Sequence, residues 1–156
     1  MLKPGQAAPE FALPDADMEL VELAAYKGKR HIILFFYPRD DTPGCTLEAT
    51  DFSDHEDEFE RRDCTLLGIS RDDCLRHAAF RDKHGISVRL LSDEEGQVCR
   101  RYGVWQAKEV DGVKKHGILR STFVIDKQGL VRHAFYGVNA KGHALEILRT
   151  AKELNS

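Results

Sequence analysis

Apolar and polar positions change rhythm several times along the chain, and each change predicts an element. Residues 5–23 are polar, with turn residues at Pro9, Pro14 and Asp15, leaving room for two short strands around 10–13 and 20–23. His31-Ile-Ile-Leu-Phe-Phe-Tyr37 is then an unbroken apolar run, too short for a lone helix and rich in β-formers. It predicts a strand buried on both faces of a sheet, ended by Pro38. Over 43–62 the period becomes helical. Cys45, Ala49, Phe52 and Phe59 fall on one stripe, and the acidic residues, Glu48 among them, fill the rest of the surface.

The same reading gives a second buried strand at 65–70 and a helix over 72–84 with Leu75, Ala78 and Ala79 inward. Gly85 follows as its C-terminal cap. A short strand at 89–91 and a helix around 94–102 precede a polar excursion at 106–117. Strands at 121–126 and 130–136 flank the turn Asp126-Lys-Gln-Gly129, and a last helix over 141–154 carries Ala144, Leu145, Leu148, Ala151 and Leu154 on its apolar side. This order predicts an α/β fold with a mixed central sheet, parallel in its first half and antiparallel in its last, and helices on both faces. A thioredoxin-like layout satisfies it, with residues 1–156 as a single domain.

Composition narrows the function. The 156 residues are 42% hydrophobic and 31% charged, enough to build a packed core without disulfide or metal staples. A formal charge of -3 argues against nucleic acid or an anionic membrane as partner, since phosphate contacts need clustered cations. No run approaches a membrane span and the first 13 residues lack the apolar segment of a secretion signal, so the chain reads as cytoplasmic.

Cys45, Cys64, Cys74 and Cys99 are spaced by 19, 10 and 25 residues, with no C-x-x-C pair, and the seven histidines show no H-x-x-x-H spacing. A disulfide framework and a metal site are both disfavoured. One cysteine stands apart. In Phe36-Tyr-Pro-Arg-Asp-Asp-Thr-Pro-Gly-Cys45 a buried strand ends, and a loop delivers Thr42 as N-cap, Pro43 at the first helical position and Cys45 in the first turn. Free backbone N–H groups and the positive helix end favour a thiolate there, the reactive form of cysteine. The bland alternative is an inert buried thiol at the top of a helix.

These residues resemble the P-x-x-x-T-x-x-C motif of peroxiredoxins, here Pro38, Thr42 and Cys45. The longer string is similar to the bacterioferritin-comigratory-protein or Q-type branch. Similarity continues through Gly5 to Pro14, Leu67-Gly-Ile-Ser70, Leu91-Ser-Asp93, Cys99 to Trp105 and Arg120-Ser-Thr-Phe123. The resemblance implies reduction of hydrogen peroxide and organic hydroperoxides without a cofactor, and an external thiol reductant: thioredoxin, glutaredoxin or glutathione. It implies Cys45 as the peroxidatic cysteine, Thr42 as the hydroxyl that holds the peroxide, Pro38 as a shield from water and Arg120 as the distant arginine completing the site. Such a donor set suits the negative charge that grows on the leaving oxygen. Glu48, one turn after Cys45, could orient an arginine or be a solvated carboxylate.

The chain departs from that branch at the resolving cysteine. Thr50 stands five residues after Cys45, and Arg81 occupies the alternative position in the next helix. Cys64 and Cys99 read as core. Cys74, seven residues and about 10 Å of helix before Arg81, would need unwinding to reach Cys45. The expected mechanism therefore uses one cysteine, with an atypical two-cysteine route through Cys74 as the alternative. A thioredoxin-type disulfide exchanger would need a cysteine at position 42. A peroxide sensor or chaperone-like module using Cys45 as a switch is distinguished by stoichiometric rather than catalytic peroxide consumption. A monomer is favoured, with a dimer as the other option.

Overall fold

A computed structural model describes residues 1–155 of the chain. Its centre is a five-stranded sheet in the order β5-β4-β3-β8-β9, built from β3 (His31–Phe36), β4 (Cys64–Ser70), β5 (Arg89–Ser92), β8 (Ser121–Ile125) and β9 (Val131–Tyr136). The pairs β3–β4 and β4–β5 are parallel, while β3–β8 and β8–β9 are antiparallel. This is the thioredoxin-like mixed sheet the pattern predicts. Two antiparallel ribbons stand outside it: β1 (Ala12–Pro14) with β2 (Leu20–Glu22), and β6 (Trp105–Val110) with β7 (Val113–Ile118).

All six residues of β3 are buried, because both faces of the sheet are covered. Ile32, Leu34 and Phe36 point into one core, with Leu67, Ile69, Phe123 and the Val98–Tyr102 side of α4 (Gln97–Arg101). Ile33, Phe35 and Tyr37 point into the other. There they meet α1 (Pro43–Asp54), α2 (Glu56–Glu60), Phe80 of α3 (Cys74–His84) and α5 (His143–Ala151). Each of these residues alternates sides as a strand with a two-residue period must. The β3–β8 register pairs Phe36 with Ser121. The loop leaving β3 and the residue entering β8, Arg120, therefore meet at the same end of the sheet.

Several expectations need correction. The helix over 43–62 is two helices, broken at His55, whose backbone leaves helical geometry (φ -106°, ψ 7°) while its Nδ1 lies 2.8 Å from the Asp51 carbonyl. The break lets Glu56, Asp57 and Glu58 occupy a fresh helix start, where the dipole favours acids. In α3, Leu75 is exposed and Ala79 is too; His77 and Phe80 face inward instead. Gly85 does cap this helix in the left-handed region, at φ 63°. In α5, Leu145 is exposed, while His143, Ala144, Ile147, Leu148 and Ala151 are buried. The polar excursion at 106–117 lies within the β6–β7 hairpin, turned by Asp111 and Gly112, both at positive φ. Among the described residues no helix is long and apolar enough to cross a membrane.

Candidate active site

The turn after β3 builds the site. Tyr37 donates its backbone N–H to the Ile69 carbonyl, and Pro38 then ends the pairing. Thr42 takes the extended N-cap conformation (φ -93°, ψ 154°) and Pro43 begins α1. The Thr42 hydroxyl does not cap the helix as expected. It donates 3.0 Å to the Arg39 carbonyl, so the first-turn amides of α1 keep no acceptor from that side chain. Cys45 sits in that turn, 1% exposed, with Tyr37, Ala49, Phe52 and Ala144 in the same core.

Arg120 closes the site from β8. Its Nη2 donates to Cys45 Sγ at 3.4 Å and its Nη1 donates to Glu48 Oε1 at 2.8 Å. The expected arginine is thus brought to the sulfur from 75 positions away. Partial burial works against its charge, but Glu48 and Cys45 outweigh that and hold the guanidinium firmly protonated. Glu48 is the correction here: it lies on the buried side of α1, 1% exposed, with Oε2 lacking a hydrogen-bond partner among the described residues. Burial drives its carboxyl up to about 7 against the pull of Arg120. The side chain that orients Arg120 is one the sequence offered equally as a surface acid.

Gly44 lets the arginine approach. A Cβ at position 44 would lie 3.1 Å from Arg120 Nη2 and 4.0 Å from the Ala140 Cβ, so any side chain there crowds the guanidinium. Pro38 itself is exposed, on the wall of a surface cavity of about 340 Å³ that Arg39, Trp105 and Ile118 also line.

The four thiols are free. Burial pushes Cys64 up to about 11, and it also pushes Cys99 far above the ordinary thiol range, helped by the hydrogen bond its thiol donates to Asp93. Cys74, half-exposed, is raised as well, by burial and then by Glu94. Cys45 carries the Arg120 guanidinium on its sulfur, whereas Cys64 Sγ donates to the Arg62 carbonyl at 3.5 Å. Cys74 lines a pocket with Leu13 and Val98, which belong to the core on the opposite side of the sheet from Cys45. Cys64 shares the Cys45 core but pairs with His31 at the start of β3, about 17 Å of strand from the site.

A sheltered sulfur at a helix start, with a guanidinium on it and no second cysteine beside it in the turn, defines a cysteine-centred redox enzyme on a thioredoxin-like sheet. Comparison with known proteins makes this specific. The chain belongs to the AhpC/TSA family, whose model matches residues 4–134. It is 41% identical over 151 residues to peroxiredoxin Bcp of Bacillus subtilis, covering 97% of this chain and 96% of that protein. Among solved structures, Xylella fastidiosa PrxQ superposes with a TM-score of 0.94 at 30% identity, covering 100% of this chain and 99% of that one. The bacterioferritin comigratory protein of Xanthomonas campestris, solved in work on alkyl peroxide reduction, gives a TM-score of 0.88 at 34% identity, over 92% and 90% of the two chains. The protein is a peroxiredoxin, a thiol-dependent peroxidase that takes peroxides as substrates and a thiol as reductant.

Proposed function

We propose that Cys45 is the peroxidatic cysteine and that it works by a one-cysteine mechanism. The observation that carries this is the Arg120 donation to Cys45 Sγ at 3.4 Å. The thiolate attacks one oxygen of the peroxide, forming S–O as O–O breaks. The sulfur becomes a sulfenic acid, and the peroxide is reduced to water or an alcohol once its leaving oxygen takes a proton. Arg120 and the first-turn amides of α1 supply donors where that negative charge develops. Thr42 turns its hydroxyl from Arg39 to the bound peroxide, and Pro38 stands at the rim of the loop as its water-side cover. The alkyl peroxide activity named for the Xanthomonas campestris relative supports organic hydroperoxides as substrates beside hydrogen peroxide.

An external thiol then attacks the sulfenic sulfur, releasing water and leaving a mixed disulfide. A second thiol displaces Cys45 and departs as the disulfide. Thr50 and Arg81 stand at the two positions where the branch keeps a resolving cysteine, and the placement of Cys74 toward the opposite core supports the external route. Thioredoxin, glutaredoxin or glutathione fits as reductant, in the cytoplasm, to a monomeric enzyme formed of one domain. The test is turnover with a small thiol: Cys45→Ser abolishes it, while single Cys64→Ser, Cys74→Ser and Cys99→Ser variants retain most of it. Loss of turnover in Cys74→Ser with every reductant would establish a two-cysteine route instead, and stoichiometric oxidation without turnover in wild type would establish a sensor.

A further inference from the structure

The loop that delivers Thr42 and Cys45 is fastened from beneath by a buried polar cluster that the peroxidase chemistry does not use. Asp40, 3% exposed, lies at its centre. Tyr37 donates its hydroxyl to Asp40 Oδ1 at 2.6 Å, and His77 Nδ1 lies 2.7 Å from Asp40 Oδ2. His77, fully buried on α3, directs its other ring nitrogen to the Leu91 carbonyl of β5 at 2.9 Å. The Asp40 backbone N–H donates 2.8 Å to Asp72, whose carboxylate also accepts from Ser70 and from Arg76. Burial and then Asp40 push the Tyr37 phenol well above its ordinary range, so that hydroxyl keeps its proton and donates.

Both ring nitrogens of His77 face acceptors, so a hydrogen must lie between His77 and Asp40 and another between His77 and Leu91. Asp40, Asp72 and His77 bring ligand-type atoms within 4.8 Å of one another. Each of those groups is already engaged by hydrogens of the protein, which makes the cluster a clamp. Its geometry is specific: it joins the loop to α3 and β5 at a point two residues before Thr42. Loop position at this point sets where the Thr42 hydroxyl and the first turn of α1 stand, and displacements of about 1 Å in such groups cost up to a hundredfold in rate.

We infer that Asp40 and His77 are positioning residues for peroxide reduction, holding the Thr42–Cys45 loop on α3 through the carboxylate–imidazole bond and the Leu91 carbonyl. The inference rests on Cys45 being the reacting thiol. Neither side chain touches the peroxide; they act through the loop. An exposed contact nearby, Asp41 with Lys83 and His84 at 2.8 Å each, ties the same loop to the far end of α3 in open solvent and serves as the comparison.

The experiment is stopped-flow oxidation of Cys45 by hydrogen peroxide at a temperature where every variant is folded. Asp40→Ala and His77→Ala each slow oxidation by about tenfold or more, while Asp41→Asn stays within about twofold, as expected of a solvent-screened pair. Asp40→Asn restores the rate to within about threefold of wild type, because its amide can donate to a His77 that is neutral at Nδ1. In ring-nitrogen NMR, the His77 Nδ1 signal then shifts as its partner changes from a carboxylate to an amide, while Nε2 stays directed at the Leu91 carbonyl. Wild-type oxidation rates in the two alanine variants overturn the inference. So does a loss in Asp40→Asn equal to that in Asp40→Ala. Where Asp40→Ala does not fold, Tyr37→Phe decides: removal of one donor to Asp40 slows oxidation about threefold, and an unchanged rate overturns the inference. A wild-type Cys45 inert to peroxide would instead sink the peroxidatic assignment itself.

Discussion

Gly44 and Glu48 decide how Arg120 meets the sulfur. Gly44→Ala places a methyl group 3.1 Å from Arg120 Nη2, and the guanidinium must give way. Cys45 oxidation is expected to slow on the order of tenfold with little change in melting temperature, measurable by stopped flow beside a thermal melt. Glu48 affects stability differently. Its carboxyl titrates near 7 in the fold and near 4.5 when free, so between those values the folded protein binds the extra proton. The stability from this group is full below about 4.5 and is lost as pH rises through about 7, by roughly 3 kcal/mol if the whole shift is realised. His143 has the opposite sign: burial favours its neutral form, so its contribution is lost as pH falls below the ordinary histidine range. Glu48→Gln removes the first dependence and keeps the second, which denaturant titrations from pH 4 to 8 would reveal. A slope unchanged in Glu48→Gln would mean the carboxyl is not held near neutrality. The placement of Thr42 and Cys45 at the start of α1, after Pro38 ends the strand, was legible because motif and helix start coincide. The side of α1 on which Glu48 lies was not, because an acid beside an apolar stripe is ordinarily solvated, and only the buried guanidinium reverses that.

At the scale of elements, strands and helices with apolar runs were readable, and each miss has a local cause. Leu75 and Leu145 looked inward by hydrophobicity, yet α3 is phased by the hydrogen-bonding of His77, and in α5 Leu145 stands beside the buried stripe of Ala144, Ile147, Leu148 and Ala151. Tertiary partners set a helix's phase when its apolar pattern is weak. The β6–β7 ribbon was hidden because its strands lie outside the main sheet with mostly exposed residues, leaving only the Asp111-Gly112 turn as a signal. That ribbon places Lys108 directly opposite Lys115, an unfavourable cross-strand pair. Limited trypsinolysis is expected to cut first at Lys108, Lys114 or Lys115, before any site in β3 or β4. Mass spectrometry of the earliest fragments checks this, and a first cut within the central sheet would contradict it.

The whole molecule is a sheet with two separate cores, and Cys45 belongs to one of them with only Cys64 for company, a strand's length away. That partition has a consequence for survival under stress. On the one-cysteine route proposed above, an oxidised Cys45 has no neighbouring sulfur to shelter behind as a disulfide, and the lifetime of its sulfenic acid is fixed by how fast reductant arrives from outside. When peroxide outpaces reductant, the next oxidation step competes, and the sulfinic acid it makes is not recovered by ordinary thiols. Repeated peroxide pulses without thiol are expected to add two oxygens at Cys45 and silence the enzyme in proportion, whereas pulses alternated with excess thiol leave it active. Intact-mass analysis after each pulse reads the difference directly; a persistent loss of two hydrogens, the mark of an internal disulfide, would show that the chain protects itself after all. In a cell, such a protein would spend itself as a peroxide trap whenever the thiol supply failed, and its working range would be set by its partner's abundance rather than by its own fold.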